Sequence, residues 1–415
     1  MKIVDMKIHV LMLKPNREWI FVQLATDEGI TGVGECSDYA STAHLVAGLN
    51  AIKPFIVGMD ARNIEDVWQK LFHGYSDLNG RGYVSHLISA IDIALWDIKG
   101  KALGVPIYQL LGGPVRDTVP LYTHIPGRLG SNTAIDEAQS AAVRAKELGF
   151  QAIKTDPFAR QWKGPGPQGG EMVERLNPGE IAQAAEFMMA VREAVGPEYE
   201  LLVDAHARFD VASAIRAARA LEPVKLTWLE EPVPVESINA LREVRENTDV
   251  PLCVGERHFT RWDYVELFRE RLVDYVMPDI AWTGGISEAR RIASQAESYF
   301  IRFSPHDALG PVMVMASAQV DMTAPNLYRQ ECVHEFFDDY ANVITPMFDW
   351  SDGVIHMSDR PGLGIELIPE AIEKYSVDPF DPQIGRPFQF ASQTVPTEQW
   401  GSLVKQRGSE NVAQR

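Results

Sequence analysis

Cysteine is scarce in this chain: Cys36, Cys253 and Cys332 are the only three in 415 residues. An odd, scattered set offers no disulfide framework, and without a C-x-x-C pair it suggests no zinc site. A reducing cytoplasm is the expected setting. Long apolar runs are missing too. No stretch of about 18 apolar residues occurs, so no membrane partner is expected, and Lys2, Asp5 and Lys7 interrupt any signal-peptide core near the start. Positive charge is in deficit, 39 Lys and Arg against 57 Asp and Glu, for a formal net charge of −18. Such a surface repels nucleic acid and anionic lipid. It repels carboxylates as well, so an anionic substrate would need a locally positive site, which a bound divalent cation supplies. No G-x-G-x-x-G or Walker loop is present, which removes the usual mark of an open nucleotide-binding sheet.

The composition is otherwise that of a globular protein, 46% hydrophobic and 23% charged. Its length suits one large domain plus a smaller one. Residues 2–13 and 19–26 read as strands, and Asp27-Glu28-Gly29 turns the second toward a third over 31–35. Over 85–103, Ile88, Ile91, Leu95 and Ile98 recur at helical spacing, and Gly104 and Pro106 stop the helix. Beyond Gly112-Gly113-Pro114, short apolar runs over 150–154, 200–204, 226–230, 251–256, 273–279, 300–306 and 326–331 alternate with helical stretches such as 134–148 and 178–195. This repeated βα grammar makes the chain α/β and favours a closed parallel barrel. Residues 158–177, with Gly164, Pro165, Gly166, Pro167, Gly169 and Gly170, break the grammar; they read as a lid or as a surface insertion. The last dozen residues of the polar tail are expected to be disordered.

The chemistry lies at the ends of the strands. Asp204, Glu230 and Glu256 are spaced by 26 residues each time, and Asp279, His306 and Glu331 follow at steps of 23, 27 and 25. Consecutive strand ends sit side by side on one rim of a parallel barrel, so six polar groups in register converge on one mouth. A single carboxylate there is more often a helix cap; six in register are not. Three carboxylates make a hard oxygen site that suits Mg²⁺ or Mn²⁺ over zinc. Within Trp228-Leu229-Glu230-Glu231-Pro232, Glu230 is read as the ligand and Glu231 as outward. Asp279 on the strand before His306 would fix the imidazole tautomer and make it a general base. His206, two residues after Asp204, would face the mouth by strand alternation and serve as general acid.

These residues resemble the enolase superfamily, mandelate racemase subgroup, over roughly 3–367. The resemblance rests on Asp97-Ile98-Lys99-Gly100-Lys101 with Leu110-Leu111-Gly112-Gly113, Leu229-Glu230-Glu231-Pro232, Gly255-Glu256-Arg257, Pro278-Asp279 with Gly284-Gly285-Ile286, Ser304-Pro305-His306, and Arg360-Pro361-Gly362-Leu363-Gly364. It implies a capping domain over 1–118, a (β/α)₇β barrel over 119–355, and a C-terminal segment, 356–415, returning to the cap. It implies Asp204, Glu230 and Glu256 as ligands of one Mg²⁺, Asp279–His306 as the basic dyad, Glu331 as a hydrogen-bond partner of the substrate carboxylate, and a homo-oligomer. Many racemases of the subgroup carry Lys-x-Lys after the second barrel strand; here the match is Lys154-Thr155-Asp156, which lacks the second lysine. Asp204-Ala205-His206 is instead similar to the Asp-x-His pattern of galactonate, gluconate and mannonate dehydratases. The implied reaction is dehydration of a sugar acid.

Lys154 could touch the substrate carboxylate or form an internal salt bridge to Asp156. The cap would read the substrate through loops 14–19 and 73–81, with Trp19 and Arg17 the candidates. His124, near the end of the first barrel strand, and His258, after Glu256, are candidates for substrate hydroxyls. Alternatives are an epimerase or cycloisomerase using Lys154 and His306, an idle sugar-acid-binding protein, and an aldolase with a Schiff base on Lys154.

Overall fold

Alternating glycines shape the first layer. Strands β1 (Ile3–Lys14), β2 (Arg17–Thr26) and β3 (Thr31–Glu35) form an antiparallel meander. In β3, Gly32 and Gly34 face the long helix Tyr83–Leu103 so closely that a Cβ on Gly34 would lie 1.8 Å from the Ala90 carbonyl oxygen. Helix Thr42–Ile56 also packs on this layer, which has its own apolar core around Ile20, Leu49, Trp68 and Ile91. In this computed structural model the described residues are 1–15, 17–38, 41–74, 82–127, 134–158 and 173–381. Most of the suspected lid, most of the 73–81 loop and the polar tail lie outside them.

Eight parallel strands follow: β4 (Thr118–His124), β5 (Ala152–Thr155), β6 (Glu200–Asp204), β7 (Trp228–Glu230), β8 (Leu252–Val254), β9 (Tyr275–Val276), β10 (Arg302–Phe303) and β11 (Gln330–Cys332). Each pairs with its sequence neighbour as far as β10, and β11 pairs back with β4. A parallel bridge between Phe303 and Leu327 joins the last two and closes the ring. Helices connect every strand to the next, which gives (β/α)₇β. Inside the ring, Tyr122, Leu202, Trp228, Cys253 and Met277 form a separate apolar plug, the filled interior expected of such barrels.

The chain then returns to the cap. The Asp97 carboxylate accepts the Val33 N–H at 3.0 Å and the Leu363 N–H at 2.9 Å, and Lys101 Nζ lies 2.8 Å away. One side chain therefore ties a helix, β3 and the Gly362 turn together. Ser376 bridges Leu11, adding a further neighbour to β1.

Candidate active site

At the C-terminal rim, register sets the neighbours. Asp204 is paired with Glu230 across β6 and β7. Glu256 stands two residues past β8, after Gly255, whose φ is +157° and where a Cβ would lie 2.6 Å from the Met277 backbone. The close approach of β8 to β9 thus demands glycine and turns Glu256 inward. Asp204, Glu230, Glu256, Asp279, His306 and Glu331 are all buried, and the rim brings all six together.

His306 Nδ1 lies 2.7 Å from Asp279 Oδ2, and Nε2 lies 2.8 Å from Glu256 Oε2. Burial raises the Asp279 carboxyl to about 6, against the pull of His306. Burial alone would depress the His306 imidazole. The Glu256 and Glu331 charges and the Asp279 bond overrule it and hold it well above its ordinary value. Lys154, on β5, reaches Glu331 Oε1 at 2.5 Å, Glu230 Oε1 at 3.0 Å and Asp204 Oδ2 at 3.6 Å. Burial opposes its charge, but Glu230 and Glu331 hold the ammonium well above its usual range. The expected alternative partner, Asp156, is not among these three. It turns to His206 Nδ1 at 3.1 Å and to Arg208 at 2.7 Å.

His206 reaches the mouth by a different route from strand alternation. β6 ends at Asp204, and His206 and Ala207 both have φ of 54°. In that left-handed turn His206 N–H donates to Asp204 Oδ1 at 2.7 Å, and Nε2 lies 3.3 Å from Asp204 Oδ2. Glu231 also departs from expectation. It is fully buried, not outward, with φ of 37°, and its carboxylate pairs with Arg257, which also pairs with Glu256. Three non-glycine residues with positive φ beside Asp204 and Glu230 mark stored backbone strain, which clusters at functional sites. Arg208 and Arg257 had no role read from the sequence. Their only signal was position, in Asp204-Ala205-His206-Ala207-Arg208 and Gly255-Glu256-Arg257.

His124 Nε2 lies 2.5 Å from Glu331 Oε1. His258 lies beside Tyr264, with its Nδ1 buried and unpartnered. The two cap candidates are corrected. Trp19, 1% exposed, packs against Phe21 and Tyr340 in the core. Arg17 lies 3.6 Å over the Phe336 ring and pairs with Asp339. Two residues apart on β2, they share one face of the strand, and both are taken up by the 334–340 turn.

The cap enters through other residues. Glu35, at the end of β3, accepts the Met313 N–H at 2.9 Å and the Ser37 hydroxyl at 2.6 Å. The Ser37 carbonyl accepts the Trp282 indole N–H at 2.7 Å, and the Trp282 ring lies 5.2 Å from that of His306. His86 of the cap helix also meets Trp282, at 5.5 Å.

Among the described residues, no three His, Cys, Asp or Glu side chains are gathered as a ready-made metal cage. The donor chemistry nevertheless fits a hard divalent cation. Asp204, Glu230 and Glu256 offer only oxygens, and two of them already converge on the Lys154 ammonium. Burial and the nearby Asp204, Glu331 and Glu256 charges raise Glu230 well above the usual carboxylate range, an excess of negative charge that a cation would relieve.

Two family models match the chain. The model described as Mandelate racemase / muconate lactonizing enzyme, N-terminal domain, covers residues 8–112, and the one described as Enolase C-terminal domain-like covers 136–371. A D-galactonate dehydratase family member from Streptomyces bingchenggensis is 35% identical over 90% of this chain and 93% of its own. A D-mannonate dehydratase from Caulobacter vibrioides is 33% identical over 90% and 95%. Among solved structures, a member of the enolase superfamily from Salmonella Typhimurium superposes with a TM-score of 0.83 at 28% identity, over 90% of this chain and 98% of that one.

Proposed function

This chain belongs to the mandelate racemase and muconate lactonizing enzyme family of the enolase superfamily, and from that membership we propose that it is a Mg²⁺-dependent dehydratase of a sugar acid. The C2–H bond next to the carboxylate breaks, the C3–O bond breaks, water leaves, and the enol becomes a 2-keto-3-deoxy acid. The observation that carries the reading is the pair of aspartate-bonded histidines, Asp279–His306 and Asp156–His206, at one rim of carboxylates. Two imidazoles there supply a base for C2 and an acid for the 3-hydroxyl.

His306 Nε2 takes the C2 proton, with Asp279 holding Nδ1. As arranged here the Glu256 and Glu331 charges favour the protonated imidazole, so the working base requires release of Nε2 from Glu256 Oε2. His206, whose charged form Asp204 and Asp156 favour against the cost of burial, delivers a proton to the leaving hydroxyl. Asp204, Glu230 and Glu256 would hold the metal. When bound, Mg²⁺ offsets the negative charge that builds on the substrate carboxylate as the proton leaves. Glu331 meets Lys154, His124 and the Asp307 N–H, which favour its charged form, and it would have to take up a proton to hydrogen-bond that carboxylate. His258 is a further candidate for a hydroxyl contact. Three free, buried cysteines support a reducing compartment, and no helix among the described residues is long and apolar enough to cross a membrane.

The rival epimerase needs Lys154 as a second base, and the Schiff-base aldolase needs it as a neutral nucleophile. Three carboxylate neighbours favour the charged form and disfavour both. The test is a screen of aldonic and aldaric acids with Mg²⁺, detecting 2-keto-3-deoxy products. Turnover abolished by a chelator and restored by Mg²⁺ is expected. No product from any acid, or turnover indifferent to chelation, would overturn the proposal.

A further inference from the structure

Among the described residues, His86 is the histidine whose two ring nitrogens are both buried and without a hydrogen-bond partner. Its side chain is 6% exposed, and the nearest opposite charge, Asp38 Oδ2, stands 3.9 Å from Nδ1, beyond hydrogen-bond reach. Buried polar groups are normally satisfied, because each one left unmade costs stability. His124, His206 and His306 all have their partners.

The surroundings of His86 are those of the active-site mouth. Its ring lies against Trp282, which also packs on His306. Phe259, three residues after Glu256, meets it edge-on at 5.7 Å. The loop that carries Asp279, the partner of the base, and the loop that carries Glu256 therefore converge on this one cap side chain. Trp282 is itself tied to the cap through Ser37, so the wall is fixed. We propose that His86 is a substrate-binding residue of the cap, hydrogen-bonding hydroxyls at the end of the sugar acid remote from its carboxylate. This rests on the sugar-acid reading above. His86 and His306 both pack against the Trp282 indole, so a six-carbon acid held at C2 by His306 has its remote carbons available to a cap side chain beside that ring. Burial lowers the His86 imidazole to about 3, so it is neutral at working pH. A neutral imidazole donates through one nitrogen and accepts through the other, and a sugar hydroxyl does both.

The test uses binding, so that it does not depend on turnover. In the inert His306→Asn protein with Mg²⁺, calorimetry measures the affinity of six-carbon aldonic acids and of three-carbon glycerate. His86→Phe keeps a ring and removes both nitrogens. It should weaken the tightest six-carbon acid by about tenfold and leave glycerate unchanged. His86→Gln, which restores a donor and an acceptor, should recover part of the loss and guards against a misfolded Phe variant. Equal affinity of His86→Phe and its parent for six-carbon acids overturns the proposal, as does an equal loss for glycerate or no binding of any acid. His86-dependent affinity in a protein whose wild type turns over no acid would support His86 and overturn the dehydratase reading alone.

Discussion

His306 and His206 are both imidazoles held by aspartates, yet they should separate under mutation. Exchange of the C2 hydrogen with D₂O needs only the base, whereas loss of the 3-hydroxyl needs the acid as well. His306→Asn is expected to stop both, and His206→Asn to stop dehydration while leaving exchange, each lowering product formation by roughly 10²–10⁴-fold. NMR of the substrate in D₂O with product assay checks this; dehydration surviving in His306→Asn would move the base elsewhere. Asp204→Asn should weaken Mg²⁺ binding by calorimetry with the fold intact by circular dichroism, and unchanged affinity would remove Asp204 from the ligands. The six rim residues were legible because each ends an apolar run at one βα period. The partners of Lys154 were not, since which carboxylate an ammonium meets inside a barrel depends on register across β5, β6 and β11, not on sequence spacing.

At the scale of elements, seven of the eight barrel strands were readable as apolar runs in order, the first entering through the resemblance, but their lengths were not. The apolar runs 273–279 and 300–306 are seven residues long, while β9 and β10 have two each. Pro278 and Pro305 lie in these runs and cannot donate to a ladder. Phe300 looked like the start of a strand. It is 89% exposed with φ of 58°, the left-handed residue that ends the preceding helical stretch. Helix Pro311–Asp321 is buried all round, and its first turn borrows an acceptor from the cap through Glu35. Burial pushes Glu35 up to about 7. Glu35→Ala leaves the Met313 N–H and the Ser37 hydroxyl without that partner and should cost about 1–3 kcal/mol. Glu35→Gln should cost less. Urea unfolding of the two variants checks the order, and equal stability of Glu35→Ala and wild type would show that water replaces the carboxylate.

Across the whole molecule, the cap is fastened to the barrel partly through Asp92, which accepts the Ser287 hydroxyl at 2.6 Å and N–H at 3.0 Å. Burial raises its carboxyl to about 7, the Ser287 bonds opposing. The folded protein therefore holds this proton more tightly than the unfolded chain. Its contribution to stability is full below about pH 4 and is lost as pH rises through 7, at up to roughly 1.4 kcal/mol per pH unit. Asp92→Asn should remove that slope, so its stability relative to wild type should rise between pH 4 and 7; a difference constant with pH would refute the linkage. A last consequence follows from the bridge between Leu11 and Ser376, beside which Val377 N–H donates to the Val10 carbonyl at 3.0 Å. β1 leaves the ribosome well before this neighbour, which emerges only after all eight barrel strands, tens of seconds later at roughly 5–20 residues per second. Through that interval the nascent cap carries an open edge, where a chaperone or a neighbouring nascent chain could pair, and the whole barrel must be synthesised before β1 is sealed.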